Sequence, residues 1–385
     1  TTLYSPNDVA IPDNPNIKEF SLLFRMTNAP VAFVTYLEKT FWPHNMTIFY
    51  PVSDQIALWH FGGASLLILM ISILTMIMIK HRPYLFVGWF WFTISIAPVI
   101  GLIQISLSAP YIIADRYHYL PSIGIGIMLS WGVPSMFKNQ SSRRIVLFAI
   151  GIIFLAFMGL FSWHQCGYWK NSIELWNHAL KVTSNNTIAH NNRGAVYDEI
   201  GQYDLAIMDY DEIIKLQPSH YLAYYDRANM HSKLNHYKNA IRDYHEAIRL
   251  KPDFADAYYN RGTVYNHSGQ YQLAIEDFNK AIDLKNCDAS YFNNRGTGYF
   301  KLGQYHTSIM DFNQAISLKP DYADAFNNRG GTYYRMGQFQ TALADFEQSV
   351  RLNPDDNNAA RQNRNLALKA IEKQEGMLNK KRHGR

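Results

Sequence analysis

"NRGTVYNHSGQYQLAIEDFNKAIDLK", residues 260–285, holds one unit of a pattern that decides the fold of the second half of this 385-residue chain. Arg261 has counterparts at Arg193, Arg227, Arg295 and Arg329, each 34 residues from the next. A small residue follows each of them (Gly194, Ala228, Gly262, Gly296, Gly330), which permits two helices to approach closely. Later in each unit Ala206, Ala240, Ala274, Ser308 and Ala342 give a second helix its small residue, with Tyr210, Tyr244, Phe278, Phe312 and Phe346 as its large core partner. Pro218, Pro252, Pro320 and Pro354 close four units, and Asn286 stands at the equivalent place in the third. Self-similarity at a fixed period implies stacked units, each burying its apolar face on its neighbours.

A 34-residue period is that of the tetratricopeptide repeat, TPR, a helix pair. Residues 187–356 therefore read as five such pairs. Residues 167–186 fit the second helix of a partial repeat, since Trp176 lies 34 residues before Tyr210 and Ala179 lies 34 before Ile213. Residues 357–385 read as a polar capping helix, which an open-ended solenoid needs for solubility, and a basic tail.

Asp209, Asp243, Asp277, Asp311 and Asp345 share the period of the arginines, so an Arg to Asp ladder is expected to tie first helices to second helices. Such partly buried pairs fix register more than they add stability, and this structural role is favoured over ligand binding. A groove is expected instead at the first-helix positions just before the arginines: Asn191, Tyr225, Tyr259, Asn293 and Asn327, with Asn192, Asn260, Asn294 and Asn328 beside them. In tetratricopeptide domains this face lines a concave surface that holds extended peptides. Asn is also an ordinary solvated residue near a helix start, so a bland reading stands beside it.

The first half has another character. Residues 56–79 form an uncharged apolar run long enough to cross a hydrocarbon core of about 30 Å. Further spans are expected at about 84–106, 119–137 and 145–163, giving a membrane domain of about four helices over residues 56–163. The third is interrupted by Pro121, Gly124, Gly126 and Pro134, which argues for packing against other helices. Lys80 and Arg82 in one connection, and Lys138, Arg143 and Arg144 in another, belong on the cytoplasmic side, so everything after Trp163 faces outward. Residues 1–55 form an outward loop, with an interfacial helix over about 20–43 carrying Arg25, Glu38 and Lys39. The fold class is thus all-α, a polytopic membrane helix bundle followed by a TPR α-solenoid.

"IIADRYHYLPSIG", residues 112–124, places Asp115, Arg116 and His118 beside those apolar runs. The bland reading is a loop ion pair. The sharper one uses the cost of charge near hydrocarbon, which makes such residues functional candidates. A guanidinium at the outer surface can grip phosphate oxygens bidentately. Arg116 would hold a lipid-linked phosphate, Asp115 would orient it, His118 would assist, and Arg25 and Lys39 are further candidates. A lone Asp paired to Arg is a poor general acid, so Asp115 is not assigned to catalysis.

"YLEKTFWPHNMTIFYP" (36–51), "PYLFVGWFWF" (83–92), "PVIGLIQI" (98–105), "ADRYHYLPSIG" (114–124) and "GYWKNSIELWNHALKVTSNN" (167–186) occur in this order. Together they resemble the C-terminal part of the integral-membrane GT-C glycosyltransferases that carry tetratricopeptide repeats, the transmembrane TPR-containing O-mannosyltransferases and their bacterial homologues. The resemblance implies a polyprenyl-phosphate sugar donor and catalytic acids in a first outward loop, expected upstream of Thr1. It also implies a membrane location, in a bacterial cytoplasmic membrane with the TPR domain in the periplasm or, alternatively, in the ER membrane with that domain in the lumen. The competing class is a non-catalytic membrane-anchored TPR scaffold.

The chain begins without an initiator Met, which is read as missing upstream sequence. The net charge of +5 is spread out and gives no footprint for nucleic acid, so the expected partners are membrane lipid and a protein or peptide on the groove. Cys166 and Cys287 lie far apart and suggest neither a disulfide framework nor a thiolate metal site, and the histidines show no ligand spacing. Asn45, Asn185 and Asn266 open N-glycosylation triplets, which matter only in a secretory lumen.

Overall fold

The computed structural model describes residues 22–42, 46–47, 57–98, 100, 119–135, 140–285, 288–354 and 358–383. Asp115, Arg116 and His118 lie outside the described residues. Every described element is helical, and the chain divides into two compact units, residues 1–200 and 201–385.

The first unit contains α1 (Leu22–Phe41), α2 (Leu58–Ile77), α3 (Pro83–Ile96), α4 (Tyr119–Ser135), α5 (Gln140–Gly167), α6 (Ser172–Val182) and α7 (Thr187–Glu199). By length and composition α2 and α5 can cross a membrane. Large apolar side chains cover their outer surfaces; Leu66, Phe148 and Ile153 are each about two-thirds exposed or more. α3 has 14 residues and reaches about 21 Å at about 1.5 Å per residue, less than a hydrocarbon core. α4 has 17 residues. The second expected span thus corresponds to a shorter helix over the described residues, and residues 101–118 lie outside them.

The core of this unit sits between α1, α3 and α4. Ala29, Ala32, Phe33 and Tyr36 of α1 are buried with Trp89, Phe92 and Ile96 of α3 and Ile125 of α4. Phe33 meets Trp89 and Phe92 edge-on, at centroid distances of 5.5 and 5.2 Å. Trp89 donates its indole N–H to Ser72 Oγ at 2.9 Å, which makes it an inter-helix residue. Gly88 and Gly124 explain the closest approach: a Cβ built on either would collide with the carbonyl oxygen of the other. The interruption read from sequence at Gly124 is a helix contact.

The second unit repeats one hairpin. α8 (Tyr203–Leu216) packs on α9 (Tyr221–Lys233), followed by α10 (Tyr237–Leu250), α11 (Ala255–His267), α12 (Tyr271–Leu284), α13 (Ala289–Lys301), α14 (Tyr305–Leu318), α15 (Ala323–Arg335), α16 (Phe339–Leu352) and α17 (Asn358–His383). Each first helix stops at a residue in the left-handed region: Gly269, Gly303 and Gly337 at φ 77–78°, and Asn235 at 58°. In the unit quoted above, the Gln270 N–H then reaches back to the Tyr265 carbonyl at 2.8 Å. Gly262, Gly296 and Gly330 sit where a Cβ would come within 2.9 Å of the rings of Phe278, Phe312 and Phe346. Consecutive first helices touch along α9, α11, α13, α15 and α17, and among the described residues consecutive second helices show no comparable contact. First helices therefore line the inner face of this stack.

Candidate functional site

The arginines hold the hairpins together. Arg227, Arg261, Arg295 and Arg329 each donate Nε and Nη2 to one carboxylate, of Asp243, Asp277, Asp311 and Asp345 respectively, at 2.6–2.9 Å. The remaining nitrogen points the other way along the array. Nη1 donates to Asp211 from Arg227, to Asn279 from Arg295 and to Asn313 from Arg329, at 2.5–2.7 Å. Nη1 of Arg261 meets His245 Nδ1 at 3.5 Å. Each arginine thus bridges the second helix of its own repeat and that of the repeat before. Arg193 donates Nη1 to Asn177 at 2.6 Å within the first unit, while Asp209 belongs to the second. The ladder expected from sequence covered only the forward half of this arrangement.

Its electrostatics favour permanent charge. For Arg295 and Arg329 the bond to the carboxylate is the leading influence and holds the guanidinium above its ordinary value. For Arg227 and Arg261 burial leads and lowers it, but the bonds to the carboxylates together outweigh it and the net direction is upward. Asp243 is only 1% exposed, so removing its partner would strand a buried charge. The arginines are also flanked by rings one turn away, Tyr258 at 5.6 Å from Arg261 and Phe326 at 5.3 Å from Arg329.

The expected groove residues are linked laterally. Asn260 donates Nδ2 to the Tyr225 hydroxyl at 2.9 Å, and Asn294 does the same to Tyr259. Asn328 donates to Asn293 Oδ1 at 3.0 Å, and Asn363 of α17 donates to Asn327 Oδ1 at 3.0 Å. The pairs of adjacent residues singled out in the sequence therefore form one amide and phenol ladder across neighbouring first helices. Burial, opposed by bonds from Asn229 and helped by Asp256, pushes the Tyr225 hydroxyl up to about 12, so it stays a neutral hydrogen-bonding group. Asn293 is buried, whereas Asn327 and Asn328 line an open pocket. Asn191 lies on α7 in the first unit.

That pocket occupies about 480 Å³ between α13, α15 and α17, with Lys301, Asn327, Asn328, Tyr334, Arg335 and Asn363 among its walls. It was not legible from spacing alone, because α17 supplies one wall and does not continue the repeat. Among the phosphate candidates that fall within the described residues, Lys39 is buried at 8% exposure and Arg25 is half-buried on α1. No group of acids, histidines and cysteines among the described residues could hold a metal ion.

The sequence matches the family description "TPR repeat" over residues 228–268 and 298–337, and "Tetratricopeptide repeat" over 187–220, 255–285 and 323–356. The second half is a tetratricopeptide repeat array. The chain is also 30% identical over 97 residues to the protein O-mannosyl-transferase Tmtc2 of Drosophila melanogaster, a match covering 25% of this chain and 10% of that protein. It is 27% identical over 101 residues to the protein O-mannosyl-transferase TMTC4 of Homo sapiens, covering 26% of this chain and 13% of that one. The chain thus spans about a tenth of the length of the curated relatives it matches. Among solved structures it is similar to YrrB, a TPR protein with an unusual peptide-binding site, at 24% identity and a TM-score of 0.43, over 52% of this chain and 99% of that chain.

Proposed function

We propose that this chain is part of a membrane glycosyltransferase of the GT-C type. Such an enzyme moves a sugar, with mannose first among the candidates, from a polyprenyl-phosphate donor to a hydroxyl of a protein or other acceptor. The TPR array recruits that acceptor, or a partner protein, through its first-helix face. Similarity to two protein O-mannosyl-transferases carries the transferase reading, together with the five sequence segments from "YLEKTFWPHNMTIFYP" to "GYWKNSIELWNHALKVTSNN" that occur in the family's order. The exposed apolar side chains of α2 and α5 support a membrane setting; the membrane proposed is the bacterial cytoplasmic one, with the array in the periplasm, or alternatively that of the ER, with the array in the lumen.

In this reading Arg116 grips the donor phosphate at the outer interface, Asp115 orients the guanidinium and His118 assists. Arg25 is a secondary candidate, and the burial of Lys39 ranks it last. The carboxylate that activates the acceptor is assigned to no residue of this chain. The test is Arg116→Ala in the complete protein, assayed with a polyprenyl-phosphate sugar. The expected result is a raised KM for donor with the helical fold retained; unchanged transfer kinetics would reduce residues 112–124 to a structural loop.

A second reading, a membrane-anchored TPR scaffold without catalysis, is favoured by the array itself, whose pocket and amide ladder serve binding with or without a transferase. Partner binding without transfer from any polyprenyl-phosphate sugar would select it.

A further inference from the structure

The hairpin of α9 and α10 departs from its neighbours around one buried carboxylate. His231 stands where the other repeats carry Tyr197, Tyr265, Tyr299 and Tyr333, and His236 stands where they carry Gln202, Gln270, Gln304 and Gln338. Arg242 takes a place held elsewhere by Met208, Glu276, Met310 and Ala344. Each of these changes adds a cation or an imidazole, and together they cluster on Asp243 and His231. Arg227 already holds the Asp243 carboxylate through Nε at 2.6 Å and Nη2 at 2.8 Å, and Arg242 Nε lies 3.4 Å from its Oδ1. His231 Nε2 lies 3.9 Å from Oδ2, and the rings of His231 and His236 are 6.0 Å apart.

This setting suits a neutral imidazole and strains a charged one. His231 is 9% exposed, and its Nδ1 meets no hydrogen-bond partner among the described residues. A neutral ring can leave that nitrogen bare, whereas an imidazolium carries a donor on both nitrogens and would bury one of them unsatisfied. The proton would also bring a third cation to a carboxylate whose two oxygens Arg227 already engages. Other elements offer the new charge no free acid. α8 contributes Asp211, which is bound to Arg227 Nη1, and α11 reaches α9 through the uncharged Asn260, at Tyr225 and Asn229. Burial leads in holding the imidazole below its ordinary value; Asp243 opposes it, and Arg227, His236 and Arg242 reinforce it.

We propose that His231 is a proton-operated latch in the array. In mild acid the imidazolium forms and competes with the Arg227 guanidinium for Asp243, and the hairpin of α9 and α10 loosens. The loosening reaches the inner face, because Tyr225 and Asn229 of α9 are the acceptors of Asn260, and Tyr244 of α10 donates its hydroxyl to the same Asn229 oxygen at 2.6 Å. The next three rungs, Arg261 to Asp277, Arg295 to Asp311 and Arg329 to Asp345, have tyrosine in place of His231 and stay closed, since a phenol does not take up a proton in this range. The sign is fixed by the direction of the shift: a depressed histidine favours the closed hairpin above its unfolded pKa, and that contribution is lost as pH falls through the folded one.

The test is hydrogen–deuterium exchange of the full chain in micelles at about pH 7.5 and about pH 5.5, corrected for the intrinsic pH dependence of exchange. Every protein carries His220→Asn, so that the capping histidine at the start of α9 does not contribute. Amides of α9 and α10 are expected to lose protection roughly threefold in acid, while those of α13 to α16 keep theirs. Adding His231→Tyr, the residue of the other repeats, should abolish that loss, and His231→Gln, smaller and uncharged, should do the same where the tyrosine does not pack. Adding His236→Gln should leave the loss in place. An equal acid loss with and without His231, or its abolition by His236→Gln alone, would overturn the proposal. A loss spread evenly from α9 to α16 would also overturn it, as acid unfolding of the whole array and not the opening of one hairpin.

Discussion

In the repeat half, glycines meet large rings on a schedule: Gly262, Gly296 and Gly330 each lie where a Cβ would crowd Phe278, Phe312 or Phe346. In the apolar half, Gly88 and Gly124 meet at least as closely, backbone to backbone, with no period to announce it. The difference lies in how many neighbours a position has to satisfy. A repeat contacts only its two neighbours, so one solution copies along the chain, whereas a bundle core is solved once. The comparison predicts that damage in the two halves separates.

The largest effect is expected at the unrepeated contact. Gly124→Val would drive a branched side chain into the Gly88 carbonyl and the Phe92 N–H of α3, at a cost of about 3 kcal/mol or more. Limited proteolysis in micelles should show α3 and α4 released while the array melts at its usual temperature. A shift of both transitions together would break the separation.

The ladder comes next. Arg261→Ala leaves Asp277 buried without its bidentate partner and should cost about 3–5 kcal/mol of array stability. Adding Asp277→Ala should recover part of that loss, with a coupling of about 1–3 kcal/mol in a double-mutant cycle. Additive losses would count against direct pairing.

Smaller effects sharpen the picture of the inner face. Asn294→Ala removes the bond to the Tyr259 hydroxyl and should cost about 1 kcal/mol in denaturant unfolding, with little change in m-value. The smallest is a pH effect. His220 caps α9, its Nδ1 accepting from the Ala223 N–H at 3.1 Å, and burial pushes its imidazole below the ordinary value against a weaker opposing bond to backbone. A depressed histidine contributes stability that is complete above the unfolded pKa and lost as pH falls through the folded one. Unfolding followed through mild acid should therefore show a loss of about 1 kcal/mol that His220→Asn, which caps without titrating, reduces. His231 shifts in the same direction through burial, so part of the acid loss should survive that substitution.

How much of this was legible follows from the same contrast. Four rungs of the expected ladder, Arg227 to Asp243, Arg261 to Asp277, Arg295 to Asp311 and Arg329 to Asp345, could be read off because the residue types repeat. The backward bonds of the arginines could not. Their acceptors, Asn177, Asp211, His245, Asn279 and Asn313, also recur every 34 residues, but they share only the ability to accept a hydrogen bond. The first-helix positions proposed as a groove were singled out in sequence, yet their lateral bonds join residues 35 or 36 apart and fall between two repeats. In the apolar half, composition marked the long helices α2 and α5. It did not reveal that Ala29, Ala32, Phe33 and Tyr36 turn one face of α1 into core, because an apolar stripe suits an interface and a protein interior alike. The pocket depends on α17, which leaves the repeat pattern and so carries no periodic signal.

The central claim is that the first-helix face of the array is the binding surface. The most direct measurement places a photo-crosslinking phenylalanine derivative at Tyr334 in the pocket or, in a second protein, at Met310, a second-helix residue 70% exposed on the other side of its hairpin. Each is illuminated with a peptide of alternating Glu and Ala and, separately, with one of alternating Gln and Ala. Crosslinks from Tyr334 and none from Met310, with either peptide, are the predicted result. Crosslinks from Met310 and none from Tyr334 would contradict it and move the binding surface to the outer helices.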